Sequence, residues 1–144
     1  MEKSISLLTT MKEFIEIEKL RREVLNIINM DTSKYLEELK NKELYSYATR
    51  IDNKMVAGCY FSVNYSILNI HHLFVKEMYQ NTGARLGRKL LQYIFDNKHY
   101  VEKLTGKYIH LSMIYPIDDK SLALYKKIGY EPIEDDYSLM LKKI

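Results

Sequence analysis

LFVKEMYQNTGARLGRKLLQYI, residues 73–94, decides the fold. An apolar strand ends near Val75, a glycine-bearing turn runs from Gln80 to Gly87, and a helix with an apolar stripe follows. The first N–H groups of a helix have no intrahelical acceptor and point out of its positive end, so a strand that passes through such a turn into a helix is an anion site suited to phosphate. Glycine lets the backbone approach a ligand closely. Arg85 and Arg88 add positive charge to the same stretch.

Working outward, Ile67 to Val75 reads as one strand and Met55 to Tyr65 as its predecessor. Leu44 to Ile51 is a further strand, joined to Met55–Tyr65 through the turn Asp52-Asn53-Lys54. Upstream, Ile5 to Leu8 is a short strand. Thr9 or Thr10 caps a helix to about Ile28, with Glu13 completing a capping box after Thr10. Phe14, Ile17, Leu20, Val24, Leu25 and Ile28 form its apolar stripe, and Asp31 caps a second helix through about Lys42. Downstream, a helix spans about Ala84 to Asn97, with Leu86, Leu90, Leu91, Ile94 and Phe95 inward. Lys107 to Tyr115 is a strand, Asp118 or Asp119 caps a helix closed by Gly129, and Tyr137 to Leu141 is a last strand. The order β-α-α-β-β-β-α-β-α-β, with a parallel strand–helix–strand unit from Ile67 to Tyr115, predicts an α/β fold: a mixed, mostly antiparallel sheet with helices on both faces.

The chain has 144 residues, 47% of them apolar and 28% charged, and contains no repeat or linker, which fits a single domain over 1–144. A formal charge of +3 without a Lys/Arg run longer than two residues does not argue for nucleic acid. One cysteine, Cys59, rules out an internal disulfide and fits a reducing compartment. The stretch MEKSISLLTTMKEF lacks the apolar run of a signal peptide, and no segment approaches a membrane span, so a cytoplasmic location is expected. Thirteen Tyr and no Trp mean that most rings bring a hydroxyl that needs a partner or can do chemistry.

Three features together resemble the GNAT family of N-acetyltransferases. Leu73-Phe74-Val75 is followed at the fifth residue after Val75 by Gln80, as in the family's R/Q-x-x-G-x-G/A loop. Pro116 is followed nine residues on by Tyr125 within SLALYKKIGY, which is similar to the family's N-x-x-A-x-x-L-Y-x-K-x-G-F segment, with Asp118 at the Asn position and Ser121 at the Ala position. The element order matches the family fold. One departure stands out. Counting forward from Val75 puts the loop's first residue at Gln80, and counting back from Leu90 and Leu91 puts it at Thr82, which implies a two-residue insertion within Asn81 to Leu86. Arg85 falls on a Gly/Ala position in either register. Its side chain either obstructs a diphosphate or swings outward and pairs with a phosphate, and intact flanking elements favour the second.

The resemblance implies acetyl-coenzyme A as co-substrate and a primary amine as acceptor, joined by direct attack in a ternary complex. It places the diphosphate on Gln80, Asn81, Thr82, Gly83, Ala84, Arg85, Gly87 and Arg88, and the pantetheine arm along the backbone edge of Leu73, Phe74 and Val75, with Asp118 close by. The amine must be neutral to attack, although an alkylammonium has a pKa near ~10. The oxyanion needs a donor, for which the Val75 or Phe74 N–H would serve. The departing thiolate needs a proton, the family's task for Tyr125; the alternative is a tyrosine that only closes the core. His71 and His72 are candidate bases, and strand alternation lets at most one face the site. His71, four residues before Val75, is at a position where some family members carry a base. A water chain ordered by Asn69 would serve instead.

Elsewhere, Cys59 reads as a buried strand residue rather than an acyl-carrying nucleophile. Glu37, Glu38 and Glu43 form a solvated face or steer a cationic amine. Tyr45, Tyr47, Tyr60, Phe61 and Tyr65 divide between core and acceptor pocket, and Glu134-Asp135-Asp136 reads as a loop. His99 and His110 are too scattered for a metal site, so no metal is expected. Expected partners are acetyl-coenzyme A and an amine, without nucleic acid or membrane; homodimers are common in the family. The rival is a non-catalytic acyl-coenzyme A sensor or interaction module on the same fold, which Arg85 favours and Tyr125 opposes.

Overall fold

The computed structural model describes residues 2–25, 32–80, 82–133 and 139–144. In chain order its elements are β1 (Lys3–Leu7), α1 (Met11–Val24), α2 (Thr32–Lys40), β2 (Tyr45–Ile51), β3 (Lys54–Asn64), β4 (Ile67–Val75), α3 (Leu86–Asp96), α4 (Lys98–Thr105), β5 (Leu111–Ile114), α5 (Asp119–Ile128), β6 (Glu131–Pro132) and β7 (Met140–Lys143), with a 3-10 turn at Glu77–Tyr79. The strands form a mixed sheet in the order β1-β2-β3-β4-β5-β7-β6. The β4–β5 pair is parallel, whereas β1–β2, β2–β3, β5–β7 and β6–β7 are antiparallel. The expected mixed, mostly antiparallel sheet is therefore present.

The chain divides into two compact units, Met1–Phe61 with His72–Ile94, and Ser62–His71 with Phe95–Ile144. In the first, the expected capping box starts α1. Thr10 Oγ1 accepts from the Glu13 N–H, and the Glu13 carboxylate accepts from the Thr10 N–H. Burial would raise the Glu13 pKa, but the bonds from Thr9, Thr10 and Arg50 outweigh it and hold the carboxyl below its ordinary range. Phe14, Ile17 and Leu20 of α1 and Leu39 of α2 pack with Leu8, Leu44, Ala48, Met55, Tyr60 and Phe74 in one apolar core. Gly58 lets α1 come this close: a Cβ there would lie 2.6 Å from Ile17 Cδ1 and 2.6 Å from Phe74 Cζ. On the opposite face, Tyr47 stacks on Phe61 and meets Tyr93 of α3 edge-on, and Leu90, Leu91 and Ile94 are buried. Helices thus cover both faces of this part of the sheet, as the sequence predicts.

A buried ion pair lies inside the first core. Arg21 is fully buried and Glu18 is 3% exposed. Glu18 accepts from Arg21 Nε at 2.5 Å, from Arg21 Nη2 at 3.2 Å and from the Tyr60 hydroxyl at 2.8 Å. The guanidinium carbon lies 4.3 Å from the centre of the Tyr35 ring. Burial alone would lower the Arg21 pKa; the hydrogen bond and charge of Glu18 outweigh it and hold it above its ordinary value.

In the second unit, β5 runs parallel to Ile67–Ile70 and antiparallel to β7. Asp118 Oδ1 accepts from the Ser121 N–H at 2.7 Å and starts α5, which Gly129 closes at φ 114. Tyr130 is fully buried, with its hydroxyl 2.6 Å from Ser112 Oγ.

Several boundaries differ from the sequence reading. The strand expected over Lys107–Tyr115 is confined to Leu111–Ile114, and Lys98–Thr105, which the reading left without an element, forms α4. Val101 anchors that short helix, Gly106 ends it at φ 71, and Glu102 Oε2 takes the Ile109 N–H at 2.8 Å, which turns the chain before the strand begins. β6 was also not anticipated. Helix α2 ends at Lys40, because Lys42 turns left-handed at φ 60 and the Glu43 and Leu44 N–H groups return to the Glu38 carbonyl. β3 stops at Asn64 because Tyr65 and Ser66, φ 52 and 66, make the two-residue turn into β4. The expected end of the first helix at Ile28, the Asp31 cap, the Glu134–Asp136 loop and the start of the last strand at Tyr137 lie outside the described residues.

Candidate active site

The first unit gathers the strand end, the loop and the start of α3. The Lys76 N–H donates to the Val56 carbonyl at 2.8 Å, which closes β4, and the 3-10 turn carries the chain to Gln80. Gln80 folds back and its Nε2 donates to the Val75 carbonyl at 2.7 Å, tying the loop to the strand. Thr82 Oγ1 donates to the Tyr79 carbonyl at 3.0 Å and accepts from the Ala84 N–H at 3.4 Å. Gly83, at φ 83, has open space where a Cβ would stand. Asn81 lies outside the described residues.

Arg85 is left-handed at φ 54, a conformation that costs a non-glycine residue ~1–2 kcal/mol. Glycine adopts this conformation freely, and arginine does so at a cost. The Arg85 carbonyl accepts from the Lys89 N–H at 2.9 Å, so α3 begins at Leu86 rather than at the expected Ala84. Helix geometry leaves the N–H groups of Leu86, Gly87 and Arg88 without intrahelical acceptors. Gly87 lies against Leu73 and Val75, and a Cβ there would stand 3.7 and 3.6 Å from their side chains. Phe74 points the other way into the α1–α2 core, so only its backbone is available to a ligand. Positive charge concentrates here: the nearby Lys3 ammonium, then burial and Arg85, push the Lys89 pKa below the usual lysine range. The Arg85, Arg88 and Lys89 side chains are exposed.

The two histidines have different surroundings. His72 is half-buried against α2, with Nε2 3.4 Å from the Tyr35 hydroxyl and its ring edge-on to Tyr35 and Tyr60. His71, in the second unit, is exposed, with Nε2 2.7 Å from Ser62 Oγ. Tyr125, also in the second unit, is 7% exposed on α5, with its ring edge-on to Tyr130 at 6.0 Å. Asp118 serves the α5 cap, and its bonds to Ser121 hold its carboxyl below its ordinary range. Asn69 donates to the Ile67 carbonyl at 3.2 Å.

Ser62 is the neighbour that the sequence reading missed; nine residues before His71, it carries no motif. The buried Glu18–Arg21 pair was legible in principle, because the two stand four residues after Phe14 and Ile17, on the helix stripe that the apolar residues define. Cys59 is fully buried and burial pushes its thiol pKa up, as befits a core residue. Tyr60 joins the core, whereas Tyr65 is 96% exposed on its turn. Among the described residues, no helix is long and apolar enough to cross a membrane.

The sequence pattern of the acetyltransferase (GNAT) family matches residues 11–130. No curated protein matches the chain in sequence. Among solved structures, the ribosomal-protein-S18-alanine N-acetyltransferase from Escherichia coli superposes with a TM-score of 0.76 at 17% identity, covering 99% of this chain and 94% of that one. The PaiA N-acetyltransferase from Thermoplasma acidophilum, in complex with coenzyme A, gives 0.71 at 18% identity, covering 98% and 99%. The aminoglycoside 6'-acetyltransferase type Ii gives 0.74 at 16% identity, covering 97% and 96%. At these identities the likeness is one of fold.

Proposed function

We propose, for a chain that belongs to the acetyltransferase (GNAT) family, that it moves the acetyl group of acetyl-coenzyme A to a primary amine of a small molecule or peptide by direct attack in a ternary complex. The observation that carries the reading is the passage from β4 into α3. Gly83 and Arg85 turn left-handed, three helix N–H groups follow, and the surrounding side chains are cationic. That combination suits a diphosphate. The donor set of residues 82–88 fits the co-substrate's charge, with the Arg85 guanidinium swung outward to pair with a phosphate. β5 pairs with β4 only as far as Ile70, which supports a role for Leu73–Val75 as the strand edge that holds the amide-rich pantetheine. The coenzyme A complex of the Thermoplasma neighbour supports the same choice of co-substrate.

The co-substrate supplies an activated acyl group, and the chain's residues manage protons and charge around it. His71 takes a proton from the attacking amine, the Phe74 or Val75 N–H meets the developing oxyanion, and the Tyr125 hydroxyl donates to the departing thiolate. Buried, reduced Cys59 fits a cytoplasmic setting.

Calorimetric titration with acetyl-coenzyme A, followed by thiol release across an amine panel, tests the reading. Micromolar binding with turnover on at least one amine is expected. Arg85 in the loop favours a second reading, an acyl-coenzyme A sensor. Binding without turnover on any amine would establish that one and overturn catalysis.

A further inference from the structure

Positive charge collects on the β1 side of α3. Lys89 and Tyr93 stand one helical turn apart on a single stripe, and the Tyr93 ring meets Tyr47 of β2 edge-on at 5.7 Å. Strand alternation from Tyr47 puts Thr49 and Ile51 on the same covered face, and their cross-strand partners Ile5 and Lys3 share it. Lys3 therefore leaves the edge strand on the side where α3 lies, and its side chain reaches Lys89. Arg85, whose carbonyl takes the Lys89 N–H at 2.9 Å, adds a third charge from the turn before the helix. All three side chains are exposed. Among the described residues, the ion pairs join Glu18 to Arg21, Glu13 to Arg50 and Glu102 to His99; none of them includes Lys3, Arg85 or Lys89. Two ammonium groups side by side without a carboxylate repel each other, and the Lys3 charge, ahead of burial and Arg85, holds the Lys89 pKa below the usual lysine range. The whole chain carries a formal charge of only +3, so this is a local concentration and not a sample of a generally basic surface.

We infer that Lys3 and Lys89 form a subsite for a phosphate monoester, the 3'-phosphate of the co-substrate, separate from the loop that takes the diphosphate. This rests on the proposed function. Coenzyme A carries its negative charge in two places, the diphosphate and a monoester on the ribose. The diphosphate has the helix N–H groups and Arg85 to meet it, which leaves the two lysines for the second charge. The order along the first unit suits the order along the cofactor. Gly87 turns toward Leu73 and Val75, the edge proposed for the pantetheine, whereas Lys89 lies toward β2 and β1. A cofactor that runs from that edge over the start of α3 has its ribose end left to reach Lys3 and Lys89. A phosphate monoester approaches two negative charges at neutral pH, and one such group set between two ammonium ions replaces their repulsion with two charge-assisted contacts.

Calorimetric titration of the full chain with acetyl-coenzyme A and with its 3'-dephospho form, at low ionic strength where exposed charges are least screened, tests the subsite. The parent should bind acetyl-coenzyme A about tenfold more tightly than the dephospho form, the size of a lost charge-assisted contact. Lys89→Met and Lys3→Ala should each bring the two affinities closer by weakening acetyl-coenzyme A alone, and Lys89→Arg, which keeps the charge, should preserve the gap. The dephospho form serves as the control for folding, since a variant that still binds it normally has an intact loop. Equal affinity of the parent for the two forms overturns the inference and leaves the proposed function standing. A preference that survives in both Lys89→Met and Lys3→Ala overturns it as well, because the monoester would then be held elsewhere, and so does an equal weakening of both forms, the mark of a general field. If the parent binds neither form, the proposed function itself falls, and the subsite with it.

Discussion

Replacing Glu18 with alanine removes an acceptor that three donors share, two from the buried Arg21 guanidinium and one from the Tyr60 hydroxyl. Neither charge of the pair has water to fall back on, since Arg21 is fully buried and Glu18 is 3% exposed. Breaking a buried pair by deleting one partner costs ~3–5 kcal/mol, and a stranded hydroxyl costs ~1–3 kcal/mol. Two of the three bonds end on the same carboxylate oxygen, so the terms overlap rather than add, and a loss of about 4–5 kcal/mol is expected for Glu18→Ala. Deleting both charges removes the stranded ion: Glu18→Leu with Arg21→Met should recover most of the loss, because apolar replacement of a whole pair is neutral or stabilising by ~1–4 kcal/mol. Urea unfolding followed by circular dichroism reads both. With a slope near ~2 kcal/mol/M, Glu18→Ala should move the midpoint down by about 2 M and the double variant should bring it back. A single variant that loses under ~1 kcal/mol, or a double variant as weak as the single, would show that the ion pair does not brace the first core.

Arg85→Gly should gain ~0.5–1 kcal/mol, the left-handed strain relieved less the added freedom of the unfolded chain. It should also weaken coenzyme A binding about tenfold or more, the size of a lost charge-assisted bond. Melting curves and calorimetry measure the two, and tighter binding would mean that the guanidinium obstructs the loop. Tyr125→Phe should lower kcat by ~100-fold or more in the thiol-release assay with little change in KM; unaltered turnover would remove the phenol from the chemistry. The Glu13 carboxyl has a folded pKa below its unfolded one, so its stabilisation is complete above the ordinary carboxylate value of 4.5 and fades as pH falls through the folded value. Glu13→Gln should therefore cost about 1 kcal/mol at neutral pH, the usual worth of a cap, and little at pH 2; an equal cost at both, by urea unfolding, would refute the charge-based account.

How far the sequence revealed the fold depended on whether a local rule had a single solution. Thr9 or Thr10 with Glu13, and Asp118 or Asp119 with Gly129, name the start of α1 and both ends of α5 to within a residue, and the structure selects Thr10 and Asp118. β4 matched its expected bounds, Ile67–Val75, because a two-residue turn precedes it and Lys76 closes it. Where two rules competed, the reading failed. Lys98–Thr105 has one fully buried anchor, Val101, which is too little for a periodic stripe, and its real signal was Gly106. Glu18 and Arg21 carry no apolar signal and stand outside the stripe named from the sequence, although their spacing from Phe14 and Ile17 places them inward, where both are buried. At the candidate site, Arg85 was recognised as out of place, but its left-handed backbone could not be read from residue type, since arginine rarely adopts it. Ser62 escaped notice because a pairing across a hairpin depends on register, which composition does not encode.

Each compact unit is assembled from two separate pieces of chain, interleaved along β3 and β4. During synthesis the leading sixty-one residues therefore hold most of their apolar core but lack Phe74 and the α3 side chains until Ile94 has been made. Until then the exposed faces of Tyr60 and Phe61 are a hazard for clumping, and the remote pairings make for slow collapse. Neither half can be expressed as one uncut fragment, so a split-protein reporter built on this scaffold would do better to part the chain at the Tyr65–Ser66 bend than to follow the boundary of either half.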